Sequence, residues 1–235
     1  MLKLIYLILL IVFPMCVNAK ECVVLLHGLA RTESSMSDLA EALSAEGYKV
    51  VNQGYASRKK TVEELSEPTI NAALHACGTH DKVHFVTHSM GGILVRYFLQ
   101  NNKITSLGRV VMLGPPNQGS EVVDKLAKVP GFKLWNGPAG LQLGTGKNSL
   151  PKSLGGVEYE VGIIAGSKSI NLLLSNFLPN PDDGKVSVES TKLEGMRDHI
   201  VVPATHTFMM QNKDVIQQVI EFLRAGKFAQ KNESQ

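Results

Sequence analysis

Short apolar runs alternate with amphipathic stretches along most of the chain. The apolar runs, bounded by turn residues, predict six buried strands at 21–26, 48–52, 82–87, 109–113, 158–165 and 199–202. Apolar positions three and four residues apart predict helices at 34–46, 62–76, 92–101 and 214–224. Strands that alternate with helices at this spacing predict an α/β fold: an open, mostly parallel sheet of about six strands with helices on both faces.

Two stretches depart from this simple alternation. Pro68 leaves the first half of the 62–76 helix open, because proline lacks the N–H that a helix interior needs. Residues 114–156 are rich in glycine and only weakly periodic. Long insertions of this kind are usually functional or disordered, so 114–156 is either an irregular connection or a cap over the functional site.

The first nineteen residues have the composition of a targeting segment. Lys3 precedes an uninterrupted apolar run at 4–13, Pro14 ends that run, and the small residues Val17 and Ala19 follow. This pattern predicts a Sec signal peptide at 1–19 that is cleaved after Ala19, leaving one domain at 20–235 in the periplasm or outside the cell. The alternative is a membrane anchor, for which the run is short.

Composition narrows the function classes. The chain has 235 residues, 44% of them hydrophobic and 19% charged, which excludes a largely disordered chain. A net charge of +3, spread along the sequence, does not indicate a nucleic-acid partner. The sequence has neither a phosphate-binding loop of the G-x-x-x-x-G-K kind nor a dinucleotide fingerprint after the first strand.

The segment with the clearest chemistry is His88-Ser89-Met90-Gly91-Gly92. It follows an apolar strand directly and opens an amphipathic helix, which is the context of a nucleophile elbow with Ser89 as the nucleophile. Thr87 stands where the first glycine of G-x-S-x-G is usual, and its branched side chain is expected to crowd the following helix. The alternative is a surface serine in a glycine-rich turn.

An elbow serine needs two N–H groups that bind the oxyanion of the tetrahedral intermediate. One is normally the backbone N–H of the next residue, here Met90. The second comes from the loop after an earlier strand, which predicts the Leu29 N–H in His27-Gly28-Leu29. We expect His27 to brace this loop and His88 to point away from the serine.

Four segments together resemble the α/β-hydrolase fold family, and within it small bacterial lipases and esterases. They are VVLLHGLA, THSMGG, LGPPNQGS and DGKV followed by TH, and the resemblance covers nearly all of the chain after the leader. It implies a Ser-His-Asp hydrolase of carboxylic esters and does not fix the substrate.

The order of such triads along the chain is serine, acid, histidine. His206 follows the last predicted strand, at the carboxyl edge where ligands bind, whereas His199 begins that strand. The Asp-Gly pattern of the family selects Asp183 as the acid, with Asp182 as its rival. Asp198 precedes the last strand and is expected at the opposite edge.

The predicted protein is therefore an exported serine esterase or lipase that forms an acyl-enzyme at Ser89. An acyltransferase or thioesterase with the same triad is the alternative, and a non-catalytic binding protein on the same scaffold is another. No metal or organic cofactor is implied. The expected partner is a small-molecule or lipid ester, with contact to a lipid interface; the oligomeric state stays open.

The apolar cluster at 172–178 is expected in the core or along an acyl pocket.

The resemblance also implies a disulfide. In an α/β-hydrolase sheet the first and third strands are neighbours, so Cys22 and Cys77 are expected near each other at the amino edge. Export makes a bond between them chemically accessible, and two buried thiols are the alternative.

Overall fold

Six strands form one sheet in the computed structural model, which describes residues 21–147 and 149–229. The predicted signal peptide at 1–19 lies outside the described residues. All five strand pairings are parallel, and the order across the sheet is β2-β1-β3-β4-β5-β6. The strands are β1 (Glu21–Leu26), β2 (Lys49–Gln53), β3 (Lys82–His88), β4 (Leu107–Leu113), β5 (Val161–Gly166) and β6 (Asp198–Val202). The predicted parallel sheet is confirmed.

Helices cover both faces of this sheet. They are α1 (Ser37–Ala45), α2 (Val62–Cys77), α3 (Met90–Asn101), α4 (Glu121–Leu126), α5 (Phe132–Leu141), α6 (Leu150–Ser153), α7 (Leu172–Ser175), α8 (Val188–Thr191) and α9 (Lys213–Ala225). Alternate residues of a strand point to opposite faces. Val23 and Leu25 of β1 therefore pack with α1 and α9, whereas Val24 and Leu26 pack with α2 and α3.

Helix α2 runs unbroken through Pro68, although that proline removes one backbone hydrogen bond. Its first turn is secured by a capping box. The Thr61 side-chain oxygen accepts from the Glu64 N–H at 3.3 Å, and the Glu64 carboxylate accepts from the Thr61 N–H at 2.9 Å. Further along, the Ser66 hydroxyl donates to the Leu94 carbonyl of α3. Capping and packing therefore stabilise the first half of the helix, whose formation the sequence alone left undecided.

A disulfide joins the start of the sheet to the end of α2. Cys22 in β1 and Cys77 are bonded, with their Cα atoms 5.9 Å apart. Both side chains are buried at the amino edge of the sheet, the edge where the parallel strands begin.

The segment 114–156, between β4 and β5, folds into α4, α5 and α6 with irregular connections. Arg96 of α3 holds both of its ends. The guanidinium is buried, and it donates to the backbone and side-chain oxygens of Asn117 and to the Gly155 carbonyl. Burial lowers the pKa of Arg96 to about 10, which still leaves it charged at neutral pH. The helix that follows Ser89 thus fixes where this segment leaves and rejoins the sheet.

Candidate active site

Ser89 sits in a strained turn between β3 and α3. Its φ of 53° and ψ of −121° lie outside the regions that side-chain-bearing residues usually adopt. The Ser89 N–H donates to the Leu113 carbonyl at 2.8 Å, which ties the turn to β4. A Cβ at Gly91 would lie 2.6 Å from the Leu26 carbonyl oxygen, so only glycine lets the helix start this close to β1. These are the features of a nucleophile elbow.

The unusual Thr87 is accommodated by a second glycine. A Cβ at Gly92 would come within 3.2 Å of the Thr87 hydroxyl and of the Met112 sulfur. The absent side chain leaves the space that the branched threonine occupies. The crowding expected from Thr87 is thus relieved within the same Gly-Gly pair.

Asp183 and His206 form a hydrogen-bonded pair beside this elbow. His206 Nδ1 lies 2.7 Å from Asp183 Oδ2, and the His206 N–H also donates to the Asp183 carbonyl at 3.0 Å. The other carboxylate oxygen of Asp183 accepts from the Lys185 and Val186 N–H groups. A proton on His206 Nδ1 leaves Nε2 as the unprotonated nitrogen, which is the state a general base requires.

Two glycines at strand ends make room for that pair. A Cβ at Gly114, after β4, would lie 2.9 Å from Asp183 Oδ2 and 3.2 Å from His206 Nδ1. A Cβ at Gly166, which ends β5, would lie 2.8 Å from the Asp183 Cβ. The aspartate and histidine can therefore approach the carboxyl edge of the sheet only because Gly114 and Gly166 have no side chains.

The rival residues have other partners. Asp182 Oδ1 accepts from the Ser175 hydroxyl and from the Gly184 N–H, which fixes the loop ahead of Asp183. Asp198 starts β6 and accepts from the backbone at the amino edge. His199 lies in the same strand, with Nε2 2.9 Å from the Thr191 hydroxyl. The structure brings none of these three to Ser89.

The loop that carries Leu29 is held by a histidine and a tyrosine. The His27 and Tyr55 rings stack with centroids 4.1 Å apart, and the Tyr55 hydroxyl donates to the His27 carbonyl at 2.5 Å. Burial lowers the pKa of His27, so the ring is neutral at neutral pH. Ala30 follows with a φ of 56°, and its N–H donates to the Ser57 hydroxyl. Within residues 21–147 and 149–229, the Leu29 and Met90 N–H groups donate to no acceptor, so both are free to bind a ligand oxygen.

His88 does not point away as expected from the sequence. Its ring lies against the His206 ring, with centroids 4.7 Å apart, and its Nε2 donates to the His206 carbonyl at 3.0 Å. A Cβ at Gly28 would lie 2.7 Å from His88 Nδ1, so the same ring also contacts the loop before Leu29. Burial and the nearby His206 lower the pKa of His88 well below its usual value. The residue before the serine is therefore a neutral brace between two parts of the site.

Ser89 and His206 open into one cavity of about 240 Å³. Its remaining walls are mainly apolar and come largely from the segment 114–156: Pro116, Val122, Val123, Leu126, Phe132 and Leu143. In the described part of the chain, no hydrogen bond joins the Ser89 hydroxyl to His206. Such bonds are often long before substrate binds. Nor do three or more His, Cys, Asp or Glu side chains converge there as ligands of a metal ion.

The apolar cluster at 172–178, expected in the core or along an acyl pocket, is divided between the core, the cavity and solvent. Leu174 lines the cavity and Leu178 is buried, but Leu172, Leu173 and Phe177 are exposed. Hydrophobicity along the chain does not distinguish a core helix from an exposed one.

None of the described helices combines the length and apolarity needed to cross a membrane.

Comparison with known proteins gives matches in structure but none in sequence. No protein-family model matches the chain, and no curated protein matches it. Among solved structures, the mature lipase BlEst2 of Bacillus licheniformis is 20% identical, with a TM-score of 0.68 over 88% of this chain and 93% of that one. A structure of the metagenome-derived lipolytic enzymes LipS and LipT matches at 16% identity and a TM-score of 0.61, covering 88% and 94%.

Phospholipase PlaB of Legionella pneumophila is a third match. It is 20% identical, with a TM-score of 0.58 over 74% of this chain, which spans 44% of the PlaB chain. At identities this low the likeness shows the fold. The chain has the α/β-hydrolase fold, as the resemblance in sequence implied.

Proposed function

We propose that this protein is a serine hydrolase of carboxylic esters that works through Ser89, His206 and Asp183. The observation that carries the proposal is the Asp183–His206 hydrogen bond at the same cavity as a serine held at a left-handed φ. Structural similarity to lipases and esterases supports ester hydrolysis in general.

The first half of the reaction makes an acyl-enzyme. His206 Nε2 takes the Ser89 proton as the hydroxyl oxygen attacks the ester carbonyl. Asp183 accepts from Nδ1 and stabilises the imidazolium that results. The carbonyl oxygen, now negatively charged, accepts from the Leu29 and Met90 N–H groups. The imidazolium then gives its proton to the leaving alcohol.

The second half releases the acid. His206 takes a proton from water, which attacks the acyl carbon, and returns that proton to Ser89 as the acyl–oxygen bond breaks. The cavity of about 240 Å³ is smaller than the roughly 300–1,000 Å³ of pockets that enclose a drug-sized ligand. We infer that the cavity takes the acyl chain or part of it, while the rest of the ester stays at the mouth.

Export is a further part of the proposal. A disulfide is typical of proteins that fold in oxidising compartments, and the Cys22–Cys77 bond supports a location beyond the cytoplasm. The cleavage after Ala19 that the sequence predicts is consistent with that location.

Labelling by a fluorophosphonate tests the nucleophile directly. We expect one adduct, located on the peptide that contains Ser89 and absent from Ser89→Ala. Ser120 lines the same cavity, where its hydroxyl donates to the Lys185 carbonyl, so Ser120→Ala is the matched control and should still be labelled. Labelling that persists in Ser89→Ala, or no labelling of the folded wild type, would reject the proposal.

A series of p-nitrophenyl esters then separates hydrolysis from acyl transfer. Each ester is offered with and without an added alcohol, and both the free acid and the transferred ester are measured. Free acid as the main product supports a hydrolase. If the alcohol receives most of the acyl groups at low concentration, the same triad serves an acyltransferase.

A further inference from the structure

Helix α5 faces the cavity on one side and solvent on the other. Phe132 and Asn136 line the cavity. Between them, the side chains of Leu134 and Trp135 are 84% and 70% exposed. Val129, just before the helix, is also exposed. Large apolar side chains grouped at the mouth of a pocket mark a site of interaction.

Helix α7 repeats this arrangement elsewhere on the mouth. Leu174 lines the cavity, while Leu172 and Leu173 beside it are 74% and 78% exposed. We call the four most exposed apolar residues of the two helices the mouth rim: Leu134, Trp135, Leu172 and Leu173. Each helix of the rim also contributes residues to the wall of the cavity that contains Ser89.

The charged side chains in the stretch around Leu134 and Trp135 have one sign. Residues 125–157 contain five lysines and no aspartate or glutamate. Three of these lysines, Lys125, Lys128 and Lys133, are exposed close to Leu134 and Trp135 in the chain. Since the whole chain carries only +3, the remainder is net negative. Because it lacks acidic residues, the stretch 125–157, which contributes to one wall of the cavity, carries net positive charge.

We propose that the mouth rim docks on a lipid bilayer that carries anionic headgroups. Lysines beside exposed apolar side chains are typical of surfaces that insert shallowly into anionic membranes. A second copy of this chain would bring the same positive charges together, which disfavours self-association through the rim. The proposal rests on the proposed function for its substrate class, because it describes how a lipid ester reaches Ser89.

Trp135 provides a local probe, because it is the only tryptophan in the sequence. The full chain carrying Ser89→Ala is titrated with vesicles of phosphatidylcholine alone or mixed with phosphatidylglycerol. The substitution prevents lipid hydrolysis during the measurement. We expect the Trp135 emission to shift to shorter wavelength with the anionic vesicles and much less with the neutral ones. Binding through any other part of the chain leaves this local signal unchanged.

Two sets of variants in the same chain test the charge. Replacing Lys125, Lys128 and Lys133 with glutamine should weaken binding at least tenfold, since each lysine near an anionic surface contributes roughly fivefold. The matched control replaces Lys82, Lys103 and Lys227, which are exposed near the amino edge, and should bind like the parent.

Leu172→Ser with Leu173→Ser tests the second helix without touching the tryptophan. We expect weaker anionic-vesicle binding, because the rim then inserts on one side only. Equal shifts on neutral and anionic vesicles, or no shift on either, would overturn the proposal. A shift that follows protein concentration without vesicles would also overturn it in favour of a second copy. If the wild type resists fluorophosphonate labelling but the vesicle shift is present, docking stands and the proposed function fails.

Discussion

The two edges of the sheet are built in opposite ways. At the carboxyl edge lie Ser89 and Ala30, the two non-glycine residues with positive φ among those the structure describes. Buried polar groups gather there as well, with Asp183 hydrogen-bonded to His206. At the amino edge the residues with positive φ are glycines such as Gly47 and Gly78, and a covalent bond joins Cys22 to Cys77. Strain and buried polar groups collect where chemistry is proposed, and the opposite edge supplies stability.

The largest effect is expected from the nucleophile and its base. Ser89→Ala and His206→Ala should each lower kcat on the order of a millionfold, or roughly 8 kcal/mol, and the double variant should be little worse. The stability of Ser89→Ala should stay close to wild type, because alanine fits the same turn. Ester turnover measures kcat of the three variants, and urea unfolding measures their stability. Additive losses in the double variant would contradict a shared proton-transfer unit.

The acid is tested by two neighbouring aspartates. Asp183→Asn should lower kcat by about 10⁴, since the amide cannot hold His206 in the same tautomer or stabilise its cation. Asp182→Asn is the matched control and should stay close to wild type, because its Oδ1 can still accept from Ser175 and Gly184. The measurement is kcat on one soluble ester. A reversed result would assign the acid to Asp182.

At the amino edge, substitutions should lower stability and leave kcat unchanged. Replacing both Cys22 and Cys77 with alanine should lower the free energy of unfolding by about 4 kcal/mol, the loop-closure value for cysteines 55 residues apart. The kcat of the remaining folded protein should not change. Denaturant unfolding measures the loss of stability. Ester turnover, at a temperature where the variant stays folded, measures kcat. Loss of kcat in the folded variant would show that the two edges are not independent.

His88 should give a smaller effect on turnover. His88→Leu removes the hydrogen bond to the His206 carbonyl, and misplacing the base should lower kcat roughly tenfold with little change in KM. His88→Gln can still donate to that carbonyl and should recover most of the loss. Steady-state kinetics of both variants decide it. Equal losses in the leucine and glutamine variants would mean that ring packing, and not the hydrogen bond, positions His206.

The smallest effect is a pH dependence of stability. The pKa of His88 is lowered by burial first and by the nearby His206 second, so the folded state favours the neutral ring. Below about pH 6.5 the unfolded chain binds a proton at this histidine and the folded chain does not. The free energy of unfolding should therefore fall as pH decreases, by about 1.4 kcal/mol per unit for each such group. His88→Gln should reduce this slope between pH 6.5 and 5; an unchanged slope would show that His88 is charged in the fold.

The sheet could be predicted from the sequence because buried parallel strands are short apolar runs, as 21–26 and 82–87 show. The elbow could be predicted from the small residues around Ser89. The glycines that make room for the Asp183–His206 pair could not, since Gly114 and Gly166 meet it only across the sheet. The direction of the His88 ring also depends on tertiary contacts. Leu172 and Leu173 are as apolar as core residues, and only the fold shows that they are exposed.

The segment 125–157, which contains no aspartate or glutamate, affects the rate at which the molecule meets a surface and its orientation when it does so. The five lysines of this segment place net positive charge beside the cavity, whereas the remainder of the chain is net negative. Near a negatively charged surface, a charge distribution of this kind turns the molecule before contact, over roughly the 8 Å that screening allows at physiological salt. The encounter rate should then depend on ionic strength even where the final affinity is dominated by apolar contacts. A larger share of collisions would begin with the cavity already facing its substrate.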